Sequence, residues 1–289
     1  MSKLSEALQS GKLAVTAELG PPKGVDVTEM IENAELLRGH VDSLNLTDQQ
    51  SSVMRLGSLA CCRLLIESGI EPIFQVTSRD RNRIALQSDL LSAYVMGVEN
   101  VLCLTGDYVT LGDHPEAKPV FDLDSVALLR AASGLEQGKD MADKELKGSP
   151  SFFLGAVVTP SANPLEPQLI KMEKKIKAGA KFFQTQVVYE PGKFERFMRQ
   201  AEQFKVPILV GIIPLRSAGM ARFMNKNVAG VYVPDDIIND MEQAESKVQK
   251  SLDITARLIN EMKDMCQGIH IMAIGWERKI PEIMDVSGL

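Results

Sequence analysis

The sequence is poor in the residues that build metal centres and disulfide frameworks. It has four cysteines and three histidines in 289 residues. Neither a Cys-x-x-Cys pair nor a Cys/His spacing typical of zinc or iron–sulfur sites is present. Four cysteines in a chain of this length also do not form a disulfide scaffold. We therefore expect no metal ion held by protein ligands.

Long apolar runs and basic runs are missing as well. No segment approaches the roughly 18 apolar residues that a spanning helix needs, and the first residues lack the apolar stretch of a signal peptide. The formal net charge is −6, and the longest basic cluster, Lys171–Lys175, is interrupted by Met172 and Glu173. These features exclude nucleic acid and membrane as expected partners and predict a cytoplasmic protein.

The residues that are present have a globular balance, with 45% hydrophobic and 24% charged residues. Short apolar runs rich in Val, Ile, Phe and Leu alternate with longer helical patterns along the whole chain. Runs whose side chains are apolar on both faces of the strand are typical of parallel strands buried on both sides. Eight strands are predicted: Leu13–Leu19, Val41–Leu46, Pro72–Val76, Asn100–Leu104, Phe152–Val158, Lys181–Val187, Pro207–Ile213 and Gly268–Ile274.

Helical patterns separate these strands, and several of them stop at a glycine. Eight β-then-α units predict an α/β protein with a (β/α)8 TIM barrel, formed by residues 1–289 as one domain. A doubly wound sheet is the rival fold, but it requires a glycine-rich turn after the first strand. This chain has Gly20-Pro21-Pro22-Lys23-Gly24 there, and prolines offer no amide donors to a phosphate. The helices are predicted at Asp26–Gly39, Val53–Ser68, Asn82–Met96, Asp124–Ser133, Pro164–Ala178, Pro191–Phe204, Met220–Met265 with a break at Pro234, and Pro281–Val286.

Active sites of such barrels lie at the carboxyl ends of the strands, and two carboxylates stand out there. Glu18 lies within the apolar run Val15–Leu19 just before a stiff Pro-Pro turn, and a partly desolvated carboxylate is suited to proton donation. A buried structural glutamate paired with arginine is the alternative. Asp107 follows Gly106, where the backbone can approach a ligand closely. Without metal ligands, this pair indicates acid–base or cation-stabilising chemistry.

A lysine-rich helix provides another candidate binding element. Lys171 and Lys175 share one helix face at i,i+4 and precede Ala178-Gly179-Ala180. This pattern fits either a solvated helix face or a clamp for the phosphates of a cofactor.

These motifs, in this order, resemble the methylenetetrahydrofolate reductase family from about residue 12 to the end. The resemblance implies an FAD-dependent barrel that reduces 5,10-methylenetetrahydrofolate to 5-methyltetrahydrofolate. The motifs are Ala17-Glu18-Leu19-Gly20-Pro21-Pro22, Leu104-Thr105-Gly106-Asp107, the lysine-rich helix with Ala178-Gly179-Ala180, Thr185-Gln186 and Gly211-Ile212-Ile213-Pro214.

The resemblance also implies roles for individual residues. It makes Glu18 the general acid, places Asp107 beside flavin and pterin, and assigns Gln186 to folate binding. It implies that FAD contacts Thr47, Gln75, Asp107, Thr159, Asn163, Gln168, Lys171 and Lys175.

Two departures from the family leave the electron donor open. Pro214–Met220 has no aromatic residue, whereas family members carry a phenylalanine there that stacks on nicotinamide. Trp276 follows strand eight, where the best-known members have no tryptophan, so it either binds folate or flavin or packs at the barrel rim. The donor is therefore NAD(P)H or a partner subunit, within a homo-oligomer or a hetero-complex. A flavin-free folate-binding methyltransferase barrel and a non-catalytic subunit stay open as alternative functions.

Overall fold

Eight parallel strands form a closed barrel in which each strand pairs with the next and the last pairs with the first. The computed structural model describes all 289 residues. This closed order confirms the predicted (β/α)8 barrel. The strands are β1 Ala14–Leu19, β2 Ser43–Leu46, β3 Pro72–Thr77, β4 Asn100–Leu104, β5 Phe153–Val158, β6 Phe182–Val187, β7 Ile208–Ile212 and β8 Gly268–Ile271.

Helices follow every strand and cover the outside of the barrel, and none of them is long and apolar enough to cross a membrane. An apolar core of 66 buried residues lies between the barrel and the helices, and a separate apolar cluster of eight buried residues fills the amino-terminal end of the barrel interior. The helices are α1 Lys3–Gln9, α2 Thr28–Leu37, α3 Ser58–Glu67, α4 Arg83–Val95, α5 Ser125–Glu136, α6 Glu166–Lys177, α7 Pro191–Ala201, α8 Ala218–Asn227, α9 Asp235–Gln243, α10 Lys247–Met262 and α11 Ile280–Ser287.

Two predicted boundaries near the C-terminus are wrong. The pattern predicted for residues 220–265 contains three helices, because the chain breaks again at residues 244–246, where the Ser246 side chain caps α10 by accepting from Gln249 N. Strand β8 ends at Ile271 rather than Ile274. Its backbone enters the left-handed region at Ile274 (φ 48°) and Gly275 (φ 81°), which turns the chain away from the sheet.

Helix α1, which the sequence patterns did not predict, closes the amino-terminal end of the barrel. Leu4 and Leu8 pack against inward-facing side chains from the first residues of several strands. The Glu71 carboxylate, just before β3, accepts hydrogen bonds from Lys3 N (2.6 Å) and Leu4 N (3.0 Å). Helix α1 thus covers the amino-terminal end of the barrel, opposite the carboxyl ends of the strands.

Candidate active site

A cavity of about 300 Å³ opens at the carboxyl ends of the strands. Four of the predicted site residues meet in it: Glu18 from β1, Gln75 from β3, Asp107 after β4 and Gln186 from β6. The walls between them are completed by Asp48, Gln49, Gln50, Thr77, Arg79, Leu102, Leu104, Thr105, Gly106, Val157, Gln184, Thr185, His270 and Met272.

Glu18 presents a mostly buried carboxylate to this cavity, with its side chain 12% exposed. Its Oε1 accepts from Gln75 Nε2 and its Oε2 from Gln50 Nε2, both at 3.2 Å. The imidazole Nε2 of His270 lies 3.7 Å from Oε1. No arginine lies within ion-pair distance, so the alternative of a structural Glu–Arg pair is wrong. Glu18 is surrounded by amides and one imidazole, which leave it free to exchange a proton with a ligand.

A buried polar layer, missed by the sequence analysis, lies directly beneath Glu18. Asn45 and Gln184 exchange two amide hydrogen bonds of 2.8 and 3.0 Å, and the second Nε2 hydrogen of Gln184 reaches Thr16 Oγ1 at 3.2 Å. The Thr16 hydroxyl can then donate to His270 Nδ1, 2.9 Å away. This assignment puts the ring proton of a neutral His270 on Nε2, the nitrogen that faces Glu18.

Asp107 is more exposed than Glu18 and lies across the cavity from it. Gly106 precedes it with φ 93°, a conformation that favours glycine. The Asp107 Oδ2 accepts from the backbone N–H of Ser51 at 3.1 Å. Since the adjacent Gln50 donates to Glu18, one short turn after β2 contacts both carboxylates.

Gln186 lies half-buried on the cavity wall next to a bulge in β6. Its Oε1 accepts from Val187 N at 3.1 Å, and its Nε2 has no protein acceptor. The side chain is thus fixed at one end and keeps its donor for a ligand. Trp276, the other residue predicted to bind substrate, is half-buried just after β8 and does not line this cavity. Its contact with folate stays a prediction.

Four of the residues predicted to contact FAD come after β5 in the chain. Thr159 and Asn163 follow that strand, and Gln168 and Lys171 are on α6. None of these four lines the cavity around Glu18.

Lys175, also on α6, is buried, so the solvated-face interpretation is wrong for this lysine. Its ammonium donates to the carbonyl of Val157 at 2.6 Å, and Val157 lines the cavity. Burial, with a smaller effect of the nearby Lys171 charge, lowers the pKa of Lys175 to about 8. Its ammonium makes no ion pair, and the negative charge of Asp124 only partly offsets the effect of burial on its pKa.

Comparison with known proteins identifies the family. The sequence profile described as methylenetetrahydrofolate reductase matches residues 3–288. The chain belongs to the methylenetetrahydrofolate reductase family. Methylenetetrahydrofolate reductase 2 of Schizosaccharomyces pombe is 27% identical over 237 residues, which cover 76% of this chain and 36% of that protein. A probable methylenetetrahydrofolate reductase (NADPH) of Caenorhabditis elegans is 24% identical over 76% of this chain and 33% of that protein. The chain thus spans about a third of the length of these family members.

Solved structures support the same fold. A protein of Clostridium thermocellum, described as binding two copies of 5-methyl-5,6,7,8-tetrahydrofolic acid, superposes with a TM-score of 0.71. It is 18% identical, and the match covers 99% of each chain. A 2,3-dimethylmalate lyase matches less well, with a TM-score of 0.53 and 12% identity over 100% of this chain and 89% of that one. At these low sequence identities, the structural similarity shows a shared barrel fold and nothing about function.

Proposed function

We propose that this chain reduces 5,10-methylenetetrahydrofolate to 5-methyltetrahydrofolate with bound FAD. The observation that carries the proposal is the placement of Glu18 and Asp107 on one cavity, each bonded to a neighbouring residue of the same turn. Family membership and the folate bound by the Clostridium thermocellum protein support the choice of substrate.

Two features of the chain fit an FAD molecule. The hydroxyl of Thr47 is buried at the rim, beside Glu18, without any hydrogen-bond partner. The Lys175 ammonium is buried without an ion-pair partner, since the Asp124 charge acts on it only from a distance, and Lys171 adds a second positive charge nearby. A flavin amide or carbonyl would satisfy the hydroxyl, and a diphosphate would neutralise the lysines. We therefore assign Thr47, Gln75 and Asp107 to the flavin end, and Thr159, Asn163, Gln168, Lys171 and Lys175 to the diphosphate end.

The chain's own residues account for the proton and charge movements of the reaction. Opening the five-membered ring of the substrate requires a proton on the departing N10, and we assign this proton to Glu18. The substrate then carries a cationic N5 iminium, which the Asp107 carboxylate stabilises. The Gln186 Nε2, free of protein acceptors, holds the pterin in register. The FAD, when reduced and bound, supplies the hydride.

The direct test uses the full chain purified without added flavin. We expect a flavin absorption spectrum that survives gel filtration. After anaerobic reduction, mixing with 5,10-methylenetetrahydrofolate should restore the oxidised spectrum and yield one 5-methyltetrahydrofolate per flavin. A colourless protein that binds folate and takes up no FAD would favour the flavin-free methyltransferase instead. A flavoprotein that is not reoxidised by the substrate would favour a non-catalytic subunit.

For the electron donor we propose a partner protein rather than direct NAD(P)H. Residues Pro214–Met220 after β7 offer the exposed Arg216 and the helix-capping Ser217, and they contain no aromatic ring to hold nicotinamide against a flavin. Trp276 does not line the cavity around Glu18. In stopped-flow mixing, NADH should leave the flavin oxidised, whereas a reduced viologen dye should bleach it. Bleaching by NADH at turnover rates of roughly 1–10³ s⁻¹ would overturn this proposal.

A further inference from the structure

The turn that follows β2 has an unusual backbone. Gln49, Ser51 and Ser52 all have left-handed conformations, with φ of 50°, 55° and 58°. Left-handed residues other than glycine are unfavourable, and a turn containing three of them persists only when its surroundings enforce it. This turn is also the one that donates to Glu18 through Gln50 and to Asp107 through Ser51.

Arg79, from the end of β3, provides the enforcing contacts. Its side chain is 3% exposed. Its Nη1 donates to Ser52 Oγ at 2.8 Å, and its Nη2 approaches the carbonyl of Gln49 at 3.4 Å. Nη1 also reaches the carbonyl of Asp107 at 3.3 Å. One guanidinium therefore joins the turn to the start of the β4 loop.

The hydroxyl of Ser52 completes this connection. While it accepts from Arg79, it can donate to the carbonyl of Tyr108 at 2.9 Å or of Asp107 at 3.1 Å. Gly112 allows the two loops to meet, because a Cβ there would lie 1.8 Å from the carbonyl oxygen of Ser52. Gly106 likewise makes room for Arg79, whose Cβ would be 3.0 Å from an added Cβ. The loops are shaped to fit each other around the guanidinium.

The orientation of the Asp107 side chain depends on this turn. Ser51 N–H is the one protein donor to its carboxylate, and the residue is exposed to the cavity. The charge of Arg79 is already matched by a two-bond pair with Asp80 at 2.6 and 2.8 Å, so the guanidinium has no need of an anionic ligand. Its remaining donors serve the backbone and a hydroxyl of the two loops.

We propose that Arg79 is a positioning residue: through Ser52 it holds the left-handed turn, and the turn aims the Asp107 carboxylate at the bound pterin. The inference rests on the proposed function for the identity of the ligand, but the positioning itself does not. Arg79 makes no hydrogen bond to Glu18 or to the Asp107 carboxylate, and it acts on that carboxylate through the Ser51 N–H.

The test compares Arg79→Met and Ser52→Ala with the control Arg83→Met in the full chain. Arg83 begins α4 nearby and pairs with Asp122 on the surface, without a contact to the turn. We expect the amide of Ser51 to exchange its hydrogen about tenfold faster in Arg79→Met and measurably faster in Ser52→Ala, and at the wild-type rate in Arg83→Met. An unchanged Ser51 exchange rate in both test variants would overturn the proposal. If Arg79→Met fails to fold, Ser52→Ala alone decides it.

A second readout separates positioning from general loosening of the site. The dissociation constant of 5-methyltetrahydrofolate should rise about tenfold in Arg79→Met. In an Asp107→Ala background, where no carboxylate is left to aim, the same substitution should change it less than about twofold. An equal effect in both backgrounds would show that Arg79 acts on the site as a whole, against the proposal. Should the wild-type chain bind no folate, the proposed function fails and the Ser51 exchange rate still decides the positioning.

Discussion

The two ends of this barrel use inward-facing positions in opposite ways. At the amino-terminal end, which helix α1 closes, Phe182 stacks on Phe153 with ring centres 4.9 Å apart, and the contacts are apolar. At the carboxyl end, inward-facing Asn45, Gln184 and His270 are just as deeply buried, but all are polar and bonded to each other. The barrel therefore separates its apolar support from its chemistry along one axis.

This separation has an energetic reason. Burying apolar side chains at the closed end contributes stability in proportion to the area removed from water. A buried polar layer contributes little net stability, because each hydrogen bond replaces one made with water, but it fixes geometry. Substitutions at the closed end should therefore change the free energy of unfolding, and substitutions at the open end should change reaction rates.

The largest expected effect is at the open end. Glu18→Gln should slow reoxidation of the reduced flavin by 5,10-methylenetetrahydrofolate by about 10²–10⁴-fold, because the amide cannot supply the N10 proton. Flavin reduction by a viologen dye needs no such proton and should change little. Single-turnover kinetics measure both steps, with Glu29→Gln as a control at an exposed carboxylate of the same rim. Equal losses in both half-reactions would assign Glu18 to holding the cofactor or the fold.

At the closed end, Phe182→Ala should lower the free energy of unfolding by about 3–5 kcal/mol. Phe182 is fully buried, and Gly155 leaves no side chain that could fill the space. Urea unfolding measures the loss, and the folded fraction should reoxidise its flavin at close to the wild-type rate. Phe223→Ala, at a side chain 62% exposed, is the matched control. A folded Phe182→Ala protein of normal stability that has lost activity would contradict the separation of the two ends.

The sequence predicted the barrel well because each strand is a local apolar run. All eight predicted strands are present, and β4 matches to the residue. Helix α1 was missed because it has only seven residues, and its apolar positions, Leu4, Ala7 and Leu8, are too few to show a period.

Only those residues of the candidate site that lie in motifs at the ends of strands could be predicted from the sequence. Glu18, Asp107 and Gln186 could be found from motifs, and the structure brings them to one cavity. The polar layer beneath them could not, because its members come from β1, β2, β6 and β8 and meet only in the closed barrel. The turn around Ser51 gave no signal either, since its left-handed residues are not glycines.

Lys175 combines features of both ends of the barrel: its side chain is as deeply buried as those at the closed end, and it is polar like those at the open end. With a pKa of about 8 in the fold against 10.5 ordinarily, it is less readily protonated when folded than when unfolded. Lys175 should therefore contribute a rise in the free energy of unfolding of on the order of 3 kcal/mol between about pH 8 and 10.5. This rise opposes the fall contributed there by buried thiols such as Cys61 and Cys266, whose pKa values are raised to about 11, so it is measured as the difference between wild type and Lys175→Met. Lys175→Met should lack this rise, as seen by urea unfolding of the FAD-free proteins across that range.

FAD should change this pH dependence. A diphosphate beside the ammonium restores the pKa of Lys175 toward its ordinary value, so the rise between pH 8 and 10.5 should shrink in the FAD-loaded wild type. Lys175→Met should also purify with less flavin and recover part of it at high FAD. Lys177→Met, at an exposed lysine of the same helix, should match wild type in both respects. Full flavin occupancy in Lys175→Met would show that this lysine does not help to bind FAD.

The smallest effect is expected for Glu71, whose carboxylate lies at the apolar, closed end of the barrel. The Glu71 carboxylate accepts from Lys3 N and Leu4 N in the first turn of α1 and from Asn100 Nδ2 at 2.8 Å. Glu71→Gln keeps the shape but removes the negative charge at the helix start and one acceptor oxygen. The free energy of unfolding should fall by about 0.5–1.5 kcal/mol.

Urea unfolding and hydrogen exchange measure this loss together. Exchange should speed up in residues 3–9 and stay unchanged at Ser51, because the sealed end and the open end share no polar contact through Glu71. Glu67→Gln, which breaks only an exposed pair with Arg63, should change stability by less than about 0.5 kcal/mol. If loosening α1 instead altered folate binding, the closed end would be part of the active site's geometry, and the division of the barrel into support and chemistry would fail.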